Sequence, residues 1–267
     1  MNFQIMNLSL QGKTALVCGS TQGIGRASAI ELAGLGANVV LFARNEEKLR
    51  EAVAELNRES GQTHRYLVAD FAQPEQVKAV LEAYLAEQPI IHILVNNTGG
   101  PKGGPLIDAR PDEFLNTFQA HLINNQLLTQ AVVPGMKQAG YGRIVNIIST
   151  SVKQPIVGLG VSNTIRGAVA QWAKTLSLEL GQFGITVNNV LPGYTKTARL
   201  DSLLQTRAAN AGVGVGEYAE KMEREIPLGR FAEAEEVAAA VAFLCTPAAG
   251  SISGINLPVD GGKTGGL

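Results

Sequence analysis

Short apolar runs alternate with longer amphipathic stretches along nearly the whole chain. This alternation limits the fold more than any other feature. KTALVCG (13–19), ANVVLFAR (37–44), HRYLVAD (64–70), HILVNN (92–97), GRIVNIIS (142–149), ITVNNVLPG (185–193) and INLPVDGG (255–262) each read as a strand. Between them lie GIGRASAIELAGLG, with Ile24, Ala27 and Ile30 at helical spacing, the acid-led NEEKLREAVAELNRES, and PEQVKAVLEAYLAEQ opened by Pro74. A helical region over about 111–139, TIRGAVAQWAKTLSLELGQF and AEEVAAAVAFLC complete the series. Strands separated by helices pair in parallel through right-handed crossovers, and strands apolar on both faces need helices on both sides. The expectation is one α/β, doubly wound Rossmann-type domain over 9–267, with a seven-stranded parallel sheet. A short tail, 1–8, precedes it.

Composition narrows the function. The 267 residues are 45% hydrophobic, enough for a large core, and the net charge of −1 offers nucleic acid no basic field. No apolar run approaches the roughly 18 residues of a membrane helix. The opening MNFQIMNLSLQGK carries neither a basic n-region nor an apolar h-region, so no secretory signal is expected. Cys18 and Cys245 fit no metal or redox spacing, which points to a reducing, cytoplasmic setting and no metal site. The 30 glycines cluster at segment ends, as tight turns require.

CGSTQGIGR (18–26) joins the first strand to the first helix. Glycines at 19, 23 and 25 let the backbone turn sharply and approach a pyrophosphate resting on the helix N-terminus. With this turn come Asp70 after the third strand, VNNTGG (95–100), GRIVNIIS, VNNVLPGYTKT (187–197), IPLGRFAEAEEVA (226–238) and VDGG (259–262). Together they resemble the short-chain dehydrogenase/reductase superfamily, especially its 3-oxoacyl-carrier-protein-reductase-like members, over residues 9–263. The resemblance implies that Gly19, Ser20, Thr21, Gly23, Ile24 and Gly25 hold the cofactor phosphates and that Asp70 approaches the adenine. It places Asn96 and Gly99 in the cofactor cleft, Pro192 and Gly193 beside it, and Thr197 near the nicotinamide amide. The stretch 199–224, polar and alanine-rich, takes the place of the family's variable substrate lid.

In such folds an acid ending the second strand takes the ribose hydroxyls of NAD, whereas a nearby arginine accommodates the 2′-phosphate of NADP. Here Ala43 and Arg44 stand at that position, and Arg26 adds charge in the turn. NADP(H) is therefore favoured, with NAD(H) the remaining option.

Carbonyl reduction by hydride leaves an alkoxide that needs a proton. The family takes it from a tyrosine whose acidity is raised by a lysine four residues on, with a serine and an asparagine completing the set. In this chain the serine position holds Ser149. The tyrosine position holds Ser162, the lysine position Arg166 and the asparagine position His121. Arg166 can keep the ribose-binding part of the lysine's role. His121 is the best replacement donor by unperturbed acidity, and Tyr194 offers a phenol in the loop after the sixth strand. Lys102, in GGPKGGP, could meet an acidic substrate; Ser151 and Lys153 lie close in sequence.

Two readings stay open at this level. One is an NADP(H)-dependent oxidoreductase acting on a small carbonyl or alcohol, 3-oxoacyl compounds included, with a rearranged proton relay. The other is a dinucleotide-binding protein without turnover, in a regulatory or structural role. Resemblance also implies a homo-oligomer, tetramer or dimer, paired through helices at about 111–139 and 162–182 and the last strand. Ala168, Ala170, Ala173, Leu176 and Leu178 supply apolar surface on the second of these.

Overall fold

The computed structural model describes residues 6–88 and 90–266. Residues 1–5 of the expected tail, Pro89 and Leu267 lie outside the described residues. The strands are β1 (Thr14–Cys18), β2 (Asn38–Ala43), β3 (Arg65–Val68), β4 (Ile93–Asn96), β5 (Gly142–Ile147), β6 (Ile185–Pro192) and β7 (Asn256–Val259). They form one parallel sheet in the order β3-β2-β1-β4-β5-β6-β7. The helices are α1 (Gly23–Gly34), α2 (Glu46–Ala54), α3 (Pro74–Glu87), α4 (Pro111–Phe118), α5 (Asn124–Ala139), α6 (Gly160–Leu180), α7 (Ala198–Ala211), α8 (Val215–Arg224) and α9 (Ala234–Cys245).

Alternate strand residues serve opposite faces, and the two cores follow that period of two. Ala15, Val17, Val39 and Leu41 pack with Leu32 of α1, Leu49 of α2 and Val237 and Val241 of α9. Leu16, Cys18, Val40 and Phe42 pack on the other side with Leu81 of α3, Leu128 of α5 and Ala173 of α6. Both faces are covered, so every strand of the centre can be apolar throughout. The strand order reverses between β1 and β4, and a crevice opens beyond their carboxyl ends, where ligands of open α/β sheets bind.

An asparagine ladder fixes the register of the second half of the sheet. Asn96, Asn146, Asn189 and Asn256 stand opposite one another on β4, β5, β6 and β7. Asn96 Nδ2 donates to Asn146 Oδ1 at 2.8 Å, Asn146 Nδ2 to Asn189 Oδ1 at 2.9 Å, and Asn189 Nδ2 to Asn256 Oδ1 at 2.8 Å. An amide both donates and accepts, so each passes a bond to the next, and the acceptor at the head of the row, Asn96 Oδ1, is buried without a hydrogen-bond partner among the described residues.

The helical region 111–139 is interrupted. α4 runs into a wide π turn, Gln119–Ile123, before α5 begins, and His121 lies in that turn. Such turns re-aim side chains inside a helix and recur at functional sites. The stretch 199–224, to which the sequence assigned no element, is two helices, α7 and α8. Leu200, Leu204 and Met222 form a small core with Ile226 and Phe231, against which Tyr194 packs. No helix among the described residues is long and apolar enough to cross a membrane.

Candidate active site

One cleft of about 1120 Å³ runs from the glycine turn to α7. Gly19, Thr21, Gly23, Ile24, Ala43, Arg44, Asp70 and Gly99 line one part. Ser149, Ser162, Arg166, Pro192, Gly193, Tyr194 and Thr197 line the other. The sheet order brings these together because most of them end a strand, follow its carboxyl end or open the next helix.

The glycine turn packs tightly against Asn97, after β4. Gly19 has φ +59, and a Cβ there would lie 2.6 Å from the Asn97 carbonyl oxygen. A Cβ on Gly25 would lie 2.6 Å from Asn97 Nδ2. Both positions therefore exclude side chains. Gly25 and Ser20 do not line the cleft themselves. Ser20 is fully buried, and its Oγ accepts from the Phe42 amide, bracing β2 against the turn.

Asn96 departs from expectation. It is buried in the ladder and does not line the cleft. The cleft residue is Asn97, whose Nδ2 donates to the carbonyls of Cys18 and Gly19 at 3.3 Å and ties β4 to the turn. Strand alternation decides between neighbours: one asparagine must point into the sheet and the next away from it. Arg26 also departs, because it is paired with Glu55 on the surface and adds no free charge to the turn. Ala43 and Arg44 do stand at the cleft edge, and Arg44 has no carboxylate partner among the described residues. This donor set fits a 2′-phosphate better than a bare ribose. Asp70 lines the cleft and also accepts from the Ala72 amide at 3.0 Å.

Ser162 and Arg166 lie one turn apart on α6 and both face the cleft. Arg166 is 8% exposed, and its Nη1 donates to the Ile147 carbonyl at 2.9 Å. Burial, then the nearby Arg199 charge, lowers its pKa to about 10, so it remains a cation at neutral pH. Ser149 lines the cleft at the end of β5, and its Oγ accepts from the Ser151 amide, leaving its own hydrogen to donate.

His121 is not placed as the donor its unperturbed acidity suggests. It is 4% exposed, does not line the cleft, and bonds Thr98 Oγ1 through Nδ1 at 2.7 Å. Burial above all, and next the Arg166 charge, hold its pKa down to about 3. The ring is neutral at pH 7 and carries no imidazolium proton to give. Tyr194 forms a wall of the cleft. Its hydroxyl accepts from Arg207 Nη1 at 3.2 Å on α7, and its ring packs edge-on against Phe231. Lys102 lines the cleft and is exposed, whereas Ser151 and Lys153 do not line it.

Arg199, at the start of α7, escaped sequence reading. Its Nη2 donates to the Pro101 carbonyl at 2.6 Å and brings a second guanidinium over the site. Its only sequence signal was its place two residues after Thr197. No group of three or more His, Cys, Asp or Glu side chains among the described residues is placed to hold a metal ion.

Comparison with known proteins agrees with this architecture. The enoyl-(acyl carrier protein) reductase family matches residues 19–264. A tropinone reductase homologue of Arabidopsis thaliana is 36% identical over 257 residues, 96% of this chain and 77% of the relative. A 3-oxoacyl-[acyl-carrier-protein] reductase of Pseudomonas aeruginosa is 34% identical over 257 residues, covering 96% and 98%. The crystal structure of L-sorbose reductase from Gluconobacter frateurii, complexed with NADPH and L-sorbose, superposes with a TM-score of 0.91. It is 31% identical over 98% of this chain and 100% of that one. The chain belongs to the short-chain dehydrogenase/reductase superfamily, an oxidoreductase family, and to its 3-oxoacyl-reductase-like members.

Proposed function

We propose that this protein is an NADP(H)-dependent reductase of a small carbonyl compound, working in the reverse direction on the corresponding alcohol. The observation that carries the reading is a shared cleft. Ser149, Ser162 and Arg166 open onto the same space as the glycine turn and Arg44. The NADPH complex of the Gluconobacter relative and the Ala43–Arg44 edge both support the phosphorylated cofactor.

When bound, the nicotinamide supplies a hydride to the carbonyl carbon. The chain's own groups then manage the oxygen. Ser149 donates a hydrogen bond to it, and Arg166 offsets the negative charge that develops there. Ser162 lacks the acidity of a phenol. Its hydroxyl hydrogen-bonds the alkoxide and passes on a proton drawn from water in the cleft. His121 acts through Thr98, holding the loop after β4, and is a positioning residue. Loss of a matched general acid costs about 10²–10⁴ in rate, so slow turnover is expected.

The buried, unpaired cysteines support a reducing compartment, the cytoplasm. Exposed apolar residues on α4 and α6 support a homo-oligomer. NADPH oxidation against 3-oxoacyl thioesters, diketones and quinones, run beside a cofactor titration, tests the reading. Oxidation with any of them supports it. Tight NADPH binding with no oxidation by any would instead support a dinucleotide-binding protein without turnover.

A further inference from the structure

The cleft holds more positive charge at its reacting end than hydride transfer to a neutral ketone requires. Arg166 rises from the floor and Arg199 comes across from the lid. A Cβ built on Gly100 would lie 3.7 Å from Arg166 Nη2 and 3.8 Å from Arg199 Nη2, so the two guanidiniums converge on one place. Lys102, two residues after Gly100, lines the same cleft. None of the three pairs with a carboxylate among the described residues.

The acids of the cleft are committed elsewhere. Asp260 accepts from the amides of Gly262 and Thr264, and Glu113 accepts from the Arg110 amide. Asp70 lies at the far end, after β3. Of the other two cations of the cleft, Arg44 stands at the cofactor edge after β2, and Lys263 is bonded to Glu225 at 2.9 Å.

Arg166 has five N–H donors and one recorded acceptor, the Ile147 carbonyl. A buried guanidinium with open donors, facing a second guanidinium, repels that neighbour unless an anion lies between them. Arginine also presents a planar fork matched to a carboxylate. A lysine in place of Arg166 would offer a point charge without that geometry.

We propose that Arg166 and Arg199, aided by Lys102, receive a carboxylate of the substrate, and that the substrate is an oxo acid with its carboxylate close to the reacting carbonyl. Ser149 and Ser162 line the same end, where the carbonyl oxygen would lie. The proposal rests on the reading of this cleft as the site of carbonyl reduction. The same chemistry could come from the cofactor pyrophosphate, and the experiment separates the two sources.

Binding of pyruvate, phenylpyruvate and acetoacetate, each against its methyl ester, would be measured by calorimetry on protein saturated with NADP⁺. NADP⁺ affinity is measured first, on unmutated protein and on Arg199→Gln and Arg199→Lys. The expected result is that at least one oxo acid binds about tenfold or more tightly than its ester. Arg199→Gln should abolish that difference, and Arg199→Lys should retain part of it. NADP⁺ affinity should stay within about threefold in both variants. Equal binding of acid and ester, or no saturable binding of any acid, would overturn the proposal. So would a variant that loses NADP⁺ and keeps the acid, which would assign Arg199 to the pyrophosphate. Failure of the unmutated protein to bind NADP⁺ would overturn the underlying reading as well, and it would show in the first titration alone.

Discussion

Thr98 Oγ1 and His121 Nδ1 are 2.7 Å apart beneath the floor of the cleft. This bond joins the loop after β4 to the π turn between α4 and α5. It occupies one of the two ring nitrogens, and the ring does not line the cleft. The rate should therefore carry no His121 ionisation. Between pH 5 and 8, kcat should show no titration that disappears in His121→Asn. A step near pH 6.5 present only in the unmutated protein would contradict the positioning role.

The same histidine should make stability sensitive to acid. Its folded pKa of about 3 lies below the unfolded value near 6.5. Between those values the unfolded chain binds the extra proton, so stability falls as pH drops through that window. His92, pushed to about 4 by burial and Lys13, and His64, lowered mainly by burial, act in the same direction. Denaturant unfolding at pH 7.5, 6 and 5 should show the loss, with His121 contributing about 1 kcal/mol per pH unit below 6. His121→Asn should flatten the slope. An unchanged slope would contradict the buried neutral ring.

Cofactor choice should turn on one side chain. NADPH should bind more tightly than NADH, because Arg44 meets the 2′-phosphate and Ala43 does not repel it. Ala43→Asp should invert the preference, with a change of about tenfold or more in the ratio by fluorescence titration. Equal affinity for both cofactors in the unmutated protein would sink the assignment.

Assembly should depend on less surface than the α6 sequence implies. Ala170 and Ala173 are spent on the protein's own core, and Leu176 packs against it. Leu178 remains 73% exposed, joined by Leu115 at 68% and Phe118 on α4. α4 and α6 pack together, so these residues present apolar surface on adjoining helices. Light scattering at micromolar concentration should give a dimer or tetramer, and Leu178→Glu should shift it toward the monomer. A monomeric unmutated protein would refute this.

Much of the fold was legible because its strands are short, largely apolar runs closed by glycine, as in KTALVCG and ITVNNVLPG. The lid was not. Leu200, Leu204 and Ala208 recur every four residues along α7, but among so many polar neighbours the helical period is faint. In the site, the turn, Ser149, Ser162 and Arg166 were readable from register. The choice between Asn96 and Asn97 was not, since it depends on which way a strand's last residue points. Arg199 is held over the cleft by a contact with Pro101, which is 98 residues away in the chain.

Reinstalling the family's pair probes what the cleft has lost. Ser162→Tyr with Arg166→Lys should raise the rate of carbonyl reduction by about 10²–10⁴, since Ser149 and the cofactor turn stay in place. No gain, with activity lost instead in Tyr194→Phe, would show that the proton comes from the lid side of the cleft.

The central claim is turnover by a cleft without a phenol at the family position. Its most direct measurement is NADPH consumption at 340 nm by the unmutated protein and by Ser149→Ala, against the carbonyl panel extended to oxo acids. The account predicts slow oxidation with at least one carbonyl, falling by about 10² or more in Ser149→Ala while NADPH affinity holds. NADPH that stays bound and unoxidised throughout the panel would contradict it.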